Sequence, residues 1–124
     1  MTKNLHSFSD DVLGQHDATG IAELIRNKDI SASEALEAAI SRAEIIEPVI
    51  RGIQCADFQR ARQQAKADSY QQGVFAGVPS IIKDNNDVQG LPTRHGSIAT
   101  PAKPAKQDGV LVKQLFAQGF VNIG

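Results

Sequence analysis

The residue of this sequence that is best suited to take part in a reaction is a lysine that follows an apolar run. Lys83 comes directly after residues 78–82, which predict a strand, and directly before Asp84. Burial at a strand end disfavours the ammonium form of a lysine, and a neutral lysine can be the base that activates a serine. The residue types alone favour a simpler interpretation, in which Lys83 is a solvated side chain at the end of a strand.

Three histidines and one cysteine are the other candidates for chemistry. His6, His16 and His95 are not at metal-ligand spacing, so the sequence predicts no metal site. His95 lies near the lysine segment and could contact a substrate, although a solvated loop histidine is the simpler interpretation. Cys55 is interpreted as a small buried side chain, and as the sole cysteine it cannot form an intrachain disulfide.

Two helices are predicted before the first strand. Asp17 can cap a helix over residues 19–28, in which the apolar residues share one face. Ser31 and Glu34 form a capping box at the start of a second helix with a longer apolar stripe. Pro48 is expected to end that helix, because its ring cannot continue the hydrogen-bond ladder.

The middle of the chain is predicted to contain a strand, a helix and a turn. Residues 49–55 form a short, partly apolar run that predicts a strand. Asp57 can cap a third helix that continues to about Tyr70 and has a polar outer face. Residues 71–77 predict a turn-rich link to the strand that precedes the lysine.

The last third of the chain predicts a β-α-β unit. A long loop over residues 84–107 is rich in glycine and proline, and a loop of this length in a small domain is either disordered or functional. Asp108 can cap a helix that ends at Gly119, and residues 120–123 predict a further strand. A strand, a helix and a strand in this order form a crossover, which usually belongs to a parallel sheet.

The predicted fold class is α/β, with N-terminal helices packed on an incomplete mixed or parallel sheet. Residues 1–16 are polar and aperiodic and predict a flexible arm, so the domain is expected to cover residues 17–124. Because the sequence stops as a strand emerges, we expect an interrupted domain of marginal stability.

Composition excludes several classes of protein. The chain has 124 residues, of which 41% are hydrophobic, and a formal net charge of −1, so no nucleic-acid-binding footprint is visible. The first fifteen residues have no apolar run, which argues against a signal peptide or a membrane anchor. A sole cysteine agrees with a reducing compartment, and the cytoplasm is the expected location.

The lysine segment resembles the amidase-signature family of hydrolases. A Gly-Val-Pro strand at residues 77–79 is followed by Lys83-Asp84-Asn85, by Gly90-Leu91-Pro92-Thr93 and by Gly96-Ser97, in the order that the family shows. The flanking segments 22–31 and 108–124 also resemble the family. The resemblance implies the N-terminal part of an amidase-signature fold.

The family catalyses amide hydrolysis with a Ser–cisSer–Lys triad, without a metal or an organic cofactor. The resemblance implies that Lys83 is the catalytic lysine and that the substrate is a small carboxamide. Both serines of the triad lie in a Gly-Gly-Ser-Ser-Gly-Gly-like stretch, which these 124 residues lack. Ser80 and Ser97 do not match those positions, so this chain alone is expected to be inactive.

Other interpretations stay open. The chain could be a non-catalytic fragment or one half of a split hydrolase that pairs with a serine-bearing partner, and a homo-oligomer is also compatible with the sequence. The A subunit of a tRNA-dependent amidotransferase belongs to the same family, although the near-neutral charge argues against direct tRNA contact by this portion.

Overall fold

The fold combines helices with a small parallel sheet. The computed structural model describes residues 4–67 and 72–124. Within these residues the elements are, in chain order, α1 (Ala18–Arg26), α2 (Ala32–Ile50), α3 (Phe58–Lys66), β1 (Pro79–Ser80), α4 (Val110–Ala117) and β2 (Val121–Asn122). The predicted α/β class is therefore confirmed. None of the described helices has the length and apolar character that a membrane span requires.

The first two helices begin where the capping signals predict. The Asp17 carboxylate accepts a hydrogen bond from the Gly20 amide at 2.8 Å. The Ser31 hydroxyl accepts from the Glu34 amide at 3.1 Å, and the Glu34 carboxylate accepts from the Ser31 amide at 2.8 Å. Both halves of the capping box are present, because each partner lies within one helical turn of the other.

The predicted end of α2 at Pro48 is wrong. The helix includes Pro48 and continues to Ile50, and it ends where Arg51 adopts a left-handed conformation with φ 49°. A proline lacks only its own N–H, so in the last turn it removes a single ladder bond. The following ladder is intact, as the Arg51 amide still donates to the Glu47 carbonyl at 2.9 Å.

The strand predicted over residues 49–55 is also wrong. Val49 and Ile50 belong to α2, and residues 51–55 form no strand. The Glu47 carboxylate accepts hydrogen bonds from the amides of Gly52 and Ile53, each at 3.1 Å. These amides therefore bond to a side chain instead of a strand partner.

The two predicted aspartate caps of α3 and α4 do not form. Asp57 precedes α3, but its carboxylate pairs with the Arg60 guanidinium and makes no capping bond. The Asp108 carboxylate accepts from the Gln89 amide at 2.7 Å, and Gly109 is the N-cap of α4. The predicted end of the third helix near Tyr70 lies outside the described residues.

The β-α-β crossover is confirmed. β1 and β2 pair in parallel, with Pro79 opposite Val121 and Ser80 opposite Asn122. Between them lie a loop and α4, and Gly119, with φ 92°, follows the helix as predicted. The loop over residues 84–107 contains two isolated bridges, which pair Gln89 with Ala105 and Pro92 with Pro104.

Two apolar clusters hold the sheet between helices. One cluster joins α2, α3 and β2 through Leu36, Ile40, Ala43, Ala61, Ala65, Val121 and Ile123. Another joins α4 to the residues after β1 through Ile82, Val88 and Val112. Val112 is fully buried and Ile82 directly precedes Lys83, so this second cluster fixes the chain at the point where the candidate lysine emerges.

The described part of the N-terminal arm contacts the domain. Leu13 is buried in a third cluster with Ile21 and Val78. Asp11 forms an ion pair with Arg42 of α2. The boundary between residues 16 and 17 stays a prediction.

Candidate active site

Lys83 lies three residues after the carboxyl end of β1. The Ile82 amide donates to the Gly124 carbonyl at 2.9 Å, which is the last inter-strand bond before the chain leaves the sheet. The Lys83 carbonyl then accepts from the amides of Asn85 and Asn86 at 2.7 and 3.1 Å, which turns the chain sharply. Lys83 is exposed to solvent in the described part of the chain.

A cavity of about 480 Å³ opens at this edge of the sheet. It is lined by Ile82 and Lys83 after β1 and by Gly124 after β2. In sheets with parallel strands, ligands bind outside the carboxyl ends of the strands, because loops diverge there and leave a crevice. Apolar residues such as Val88 and Leu91 line the cavity together with Lys83, a mixture of apolar and polar residues that is typical of small-molecule sites.

Asp84 organises the loop above this cavity. Its carboxylate accepts hydrogen bonds from the backbone amides of Arg94 at 2.8 Å and Gly96 at 3.2 Å, and its carbonyl accepts from the His95 amide at 2.9 Å. The hydrogen bond from the Arg94 amide is the main cause that lowers the pKa of Asp84 below its ordinary value. The residue types alone did not predict this role of Asp84, although the Lys83-Asp84 pair and the later Gly96-Ser97 pair are its local signals.

His95 lies in the cavity that Lys83 lines. Its backbone is left-handed, with φ 53°, and its side chain is exposed. The sequence favoured a solvated loop histidine, and His95 is exposed; it lines the same cavity as Lys83.

Asp87 connects the same loop to the start of α4. Its carboxylate accepts from the Thr93 hydroxyl at 2.6 Å, and its carbonyl accepts from the Gly109 amide at 2.9 Å. These bonds hold the Pro-Thr turn against the N-terminal end of the helix.

The remaining candidates divide between the cavity and the rest of the surface. Cys55, interpreted from sequence as buried, is half-buried and lines the cavity. His6, His16, Ser80 and Ser97 do not line it. Over residues 4–67 and 72–124, no three His, Cys, Asp or Glu side chains form a group that could hold a metal ion.

Comparisons with known proteins place these features in a family context. A family model described as Amidase matches residues 34–124. The protein named amidase AmiC of Mycobacterium leprae (strain TN) is 44% identical over 123 residues, which are 98% of this chain and 26% of that protein. The 6-aminohexanoate-cyclic-dimer hydrolase of Pseudomonas sp. (strain NK87) is 35% identical over 111 residues, which are 87% of this chain and 22% of that protein.

Solved structures agree with the sequence relatives. A structure of 6-aminohexanoate cyclic dimer hydrolase complexed with substrate superposes with a TM-score of 0.79 at 33% identity, over 88% of this chain and 23% of that chain. A structure described as a vestigial protein complex that reveals the origins of an s-triazine catabolic enzyme gives a TM-score of 0.81 at 29% identity, over 88% of this chain and 25% of that chain. This chain thus spans about a quarter of the length of the relatives that it matches.

Proposed function

Because the chain belongs to the amidase family, we propose that it supplies the lysine base of an enzyme that hydrolyses the C–N bond of a small carboxamide. Lys83 is that base in the proposal. The observation that carries it is the position of Lys83, shortly after the carboxyl end of a parallel strand and in the wall of a cavity large enough for a small ligand.

The proposed chemistry needs two serines in addition to Lys83. Neutral Lys83 takes a proton from a bridging serine, which takes one from the nucleophilic serine as that oxygen bonds to the amide carbonyl carbon. The proton then passes to the departing amine, and water hydrolyses the acyl-enzyme. These 124 residues contain no adjacent serine pair, so the proposal places both serines in polypeptide outside them and assigns no turnover to the chain alone. It involves no metal and no organic cofactor.

The proposal also requires a cover over the cavity. Lys83 is exposed in the described structure, and water stabilises an ammonium ion. We propose that the serine-bearing polypeptide closes over the cavity and excludes water, which favours the neutral amine that the base requires.

Lys83→Ala in the complete gene product that contains these residues tests the proposal. With hexanamide as substrate, we expect kcat to fall by at least about 10³-fold, because the members of such a triad act as one unit. Lys113→Ala is the matched control, since Lys113 is an exposed lysine of α4 outside the cavity. Unchanged turnover in the Lys83 variant would disprove the role of Lys83.

A second form of the proposal has the serines on a separate chain. The structure described as a vestigial complex supports it, since that relative by fold is described as part of a complex. Co-purification of the tagged 124-residue chain with a serine-bearing polypeptide from its own cells would favour this form. Recovery of the tagged chain alone would favour one continuous polypeptide.

A further inference from the structure

The cavity that Lys83 lines is also lined by His95, a residue that the proposed triad does not use. His95 is exposed, and its backbone is left-handed, with a φ of 53°.

Asp84 supplies the interactions that impose this conformation. It accepts hydrogen bonds from three consecutive amides, those of Arg94, His95 and Gly96. Asp84 directly follows Lys83, so these bonds fix the backbone at His95 relative to the backbone at Lys83. Both residues line the same cavity.

The neighbouring cationic side chain is directed elsewhere. The Arg94 guanidinium donates to the Ile98 carbonyl at 3.0 Å and does not line the cavity. Of the three residues that Asp84 binds, His95 is thus the one that both lines the cavity and has a polar side chain. An imidazole carries one donor and one acceptor nitrogen in its neutral form, and a carboxamide offers both an acceptor oxygen and N–H donors.

On the basis of the amidase function proposed above, we propose that His95 contacts the carboxamide substrate and that Asp84 is its positioning residue. The apolar part of the lining, which includes Ile53, Val88 and Leu91, fits the acyl carbons of the substrate. The substrate class is therefore a carboxamide with a short apolar acyl chain.

Steady-state hydrolysis of hexanamide by the complete gene product tests His95. His95→Gly removes the imidazole, so KM is expected to rise about 3- to 10-fold, which corresponds to the loss of one hydrogen bond. Glycine tolerates the left-handed backbone, so thermal stability should not fall. His95→Asn tolerates the same backbone and retains a donor and an acceptor, so it should recover most of the affinity. A wild-type KM for His95→Gly overturns the assignment, as does a matching loss of stability.

The double variant Asp84→Asn/His95→Gly tests the positioning role. If Asp84 acts through His95, the double variant should have the KM of His95→Gly alone. Additive increases in KM would overturn the role of Asp84. Lys83→Ala separates the two proposals. If that variant retains turnover, the proposed function is wrong. If it loses turnover while His95→Gly has the wild-type KM, only the role of His95 is wrong.

A binding measurement on the Lys83→Ala variant of the complete gene product gives a readout without turnover. During titration with hexanamide, the imidazole Cε1–H resonance of His95 should shift. His6 and His16 lie outside the cavity and serve as internal controls. The absence of a shift, or equal shifts at all three histidines, would overturn the contact.

Discussion

Arg42 of α2 and Asp11 of the N-terminal arm form a two-point ion pair, with Nε to Oδ2 at 2.7 Å and Nη2 to Oδ1 at 2.6 Å. The same Nη2 also donates to the Gly14 carbonyl at 2.9 Å. Both side chains are largely buried, with 14% of Arg42 and 19% of Asp11 exposed. The hydrogen bond from Arg42 is the main cause that lowers the pKa of Asp11.

Truncation of this pair should destabilise the fold. We expect a coupling free energy of about 1 kcal/mol between Arg42→Ala and Asp11→Ala in a double-mutant cycle, because the pair is bidentate and partly buried. Chemical denaturation of the four proteins measures it. Additive effects of the two changes would contradict the expectation.

Gly73 should tolerate no side chain. A Cβ at this position would overlap the backbone of Gln118, and its φ of 121° is unfavourable for other residues. We expect Gly73→Ala to cost more than about 2 kcal/mol in the free energy of unfolding. Gly96→Ala is the control, since Gly96 is also left-handed but faces open space, and it should cost about 1 kcal/mol. Equal effects at both sites would contradict the steric argument.

Leu36 should contribute far more to stability than an exposed residue of the same helix. It is 1% exposed and packs against α3 and β2. Leu36→Ala is expected to cost about 2–5 kcal/mol, through lost burial and the cavity that remains. Ile45 is 60% exposed, and Ile45→Ala should change the free energy of unfolding by less than about 1 kcal/mol. Thermal denaturation compares the two variants.

The turn over residues 94–96 should loosen in acid. The pKa of Asp84 is lowered below 3.8 in the folded chain, so its stabilising contribution is fully present above 3.8 and is lost as the pH falls through the folded value. Titration by NMR should show the Arg94 and Gly96 amide resonances moving together with the Asp84 carboxyl, below pH 3.8. Asp84→Asn is the control that should abolish this movement. A midpoint at or above 3.8 would contradict the expectation.

Much of the fold and part of the site could be predicted from the residues alone, because their causes are local. The Ser31 and Glu34 capping box closes within one turn, and Gly119 can adopt its left-handed conformation without help from distant residues. The strand that precedes Lys83 is visible as an apolar run, and the order of strand, helix and strand predicts a parallel pair. The position of Lys83 shortly after a strand therefore follows from the sequence.

Only the tertiary structure decided the features that depend on distant partners. The Asp108 carboxylate could have capped α4, but it accepts a hydrogen bond from the Gln89 amide instead. The segment after α2 could have formed a strand, but its Ile53 amide donates to the Glu47 carboxylate instead of a strand partner. The turn over residues 94–96 depends on Asp84, ten residues before Arg94, whose amide it binds. A polar side chain can form hydrogen bonds of similar energy with several different partners. The tertiary structure decides which partner lies close enough to bond.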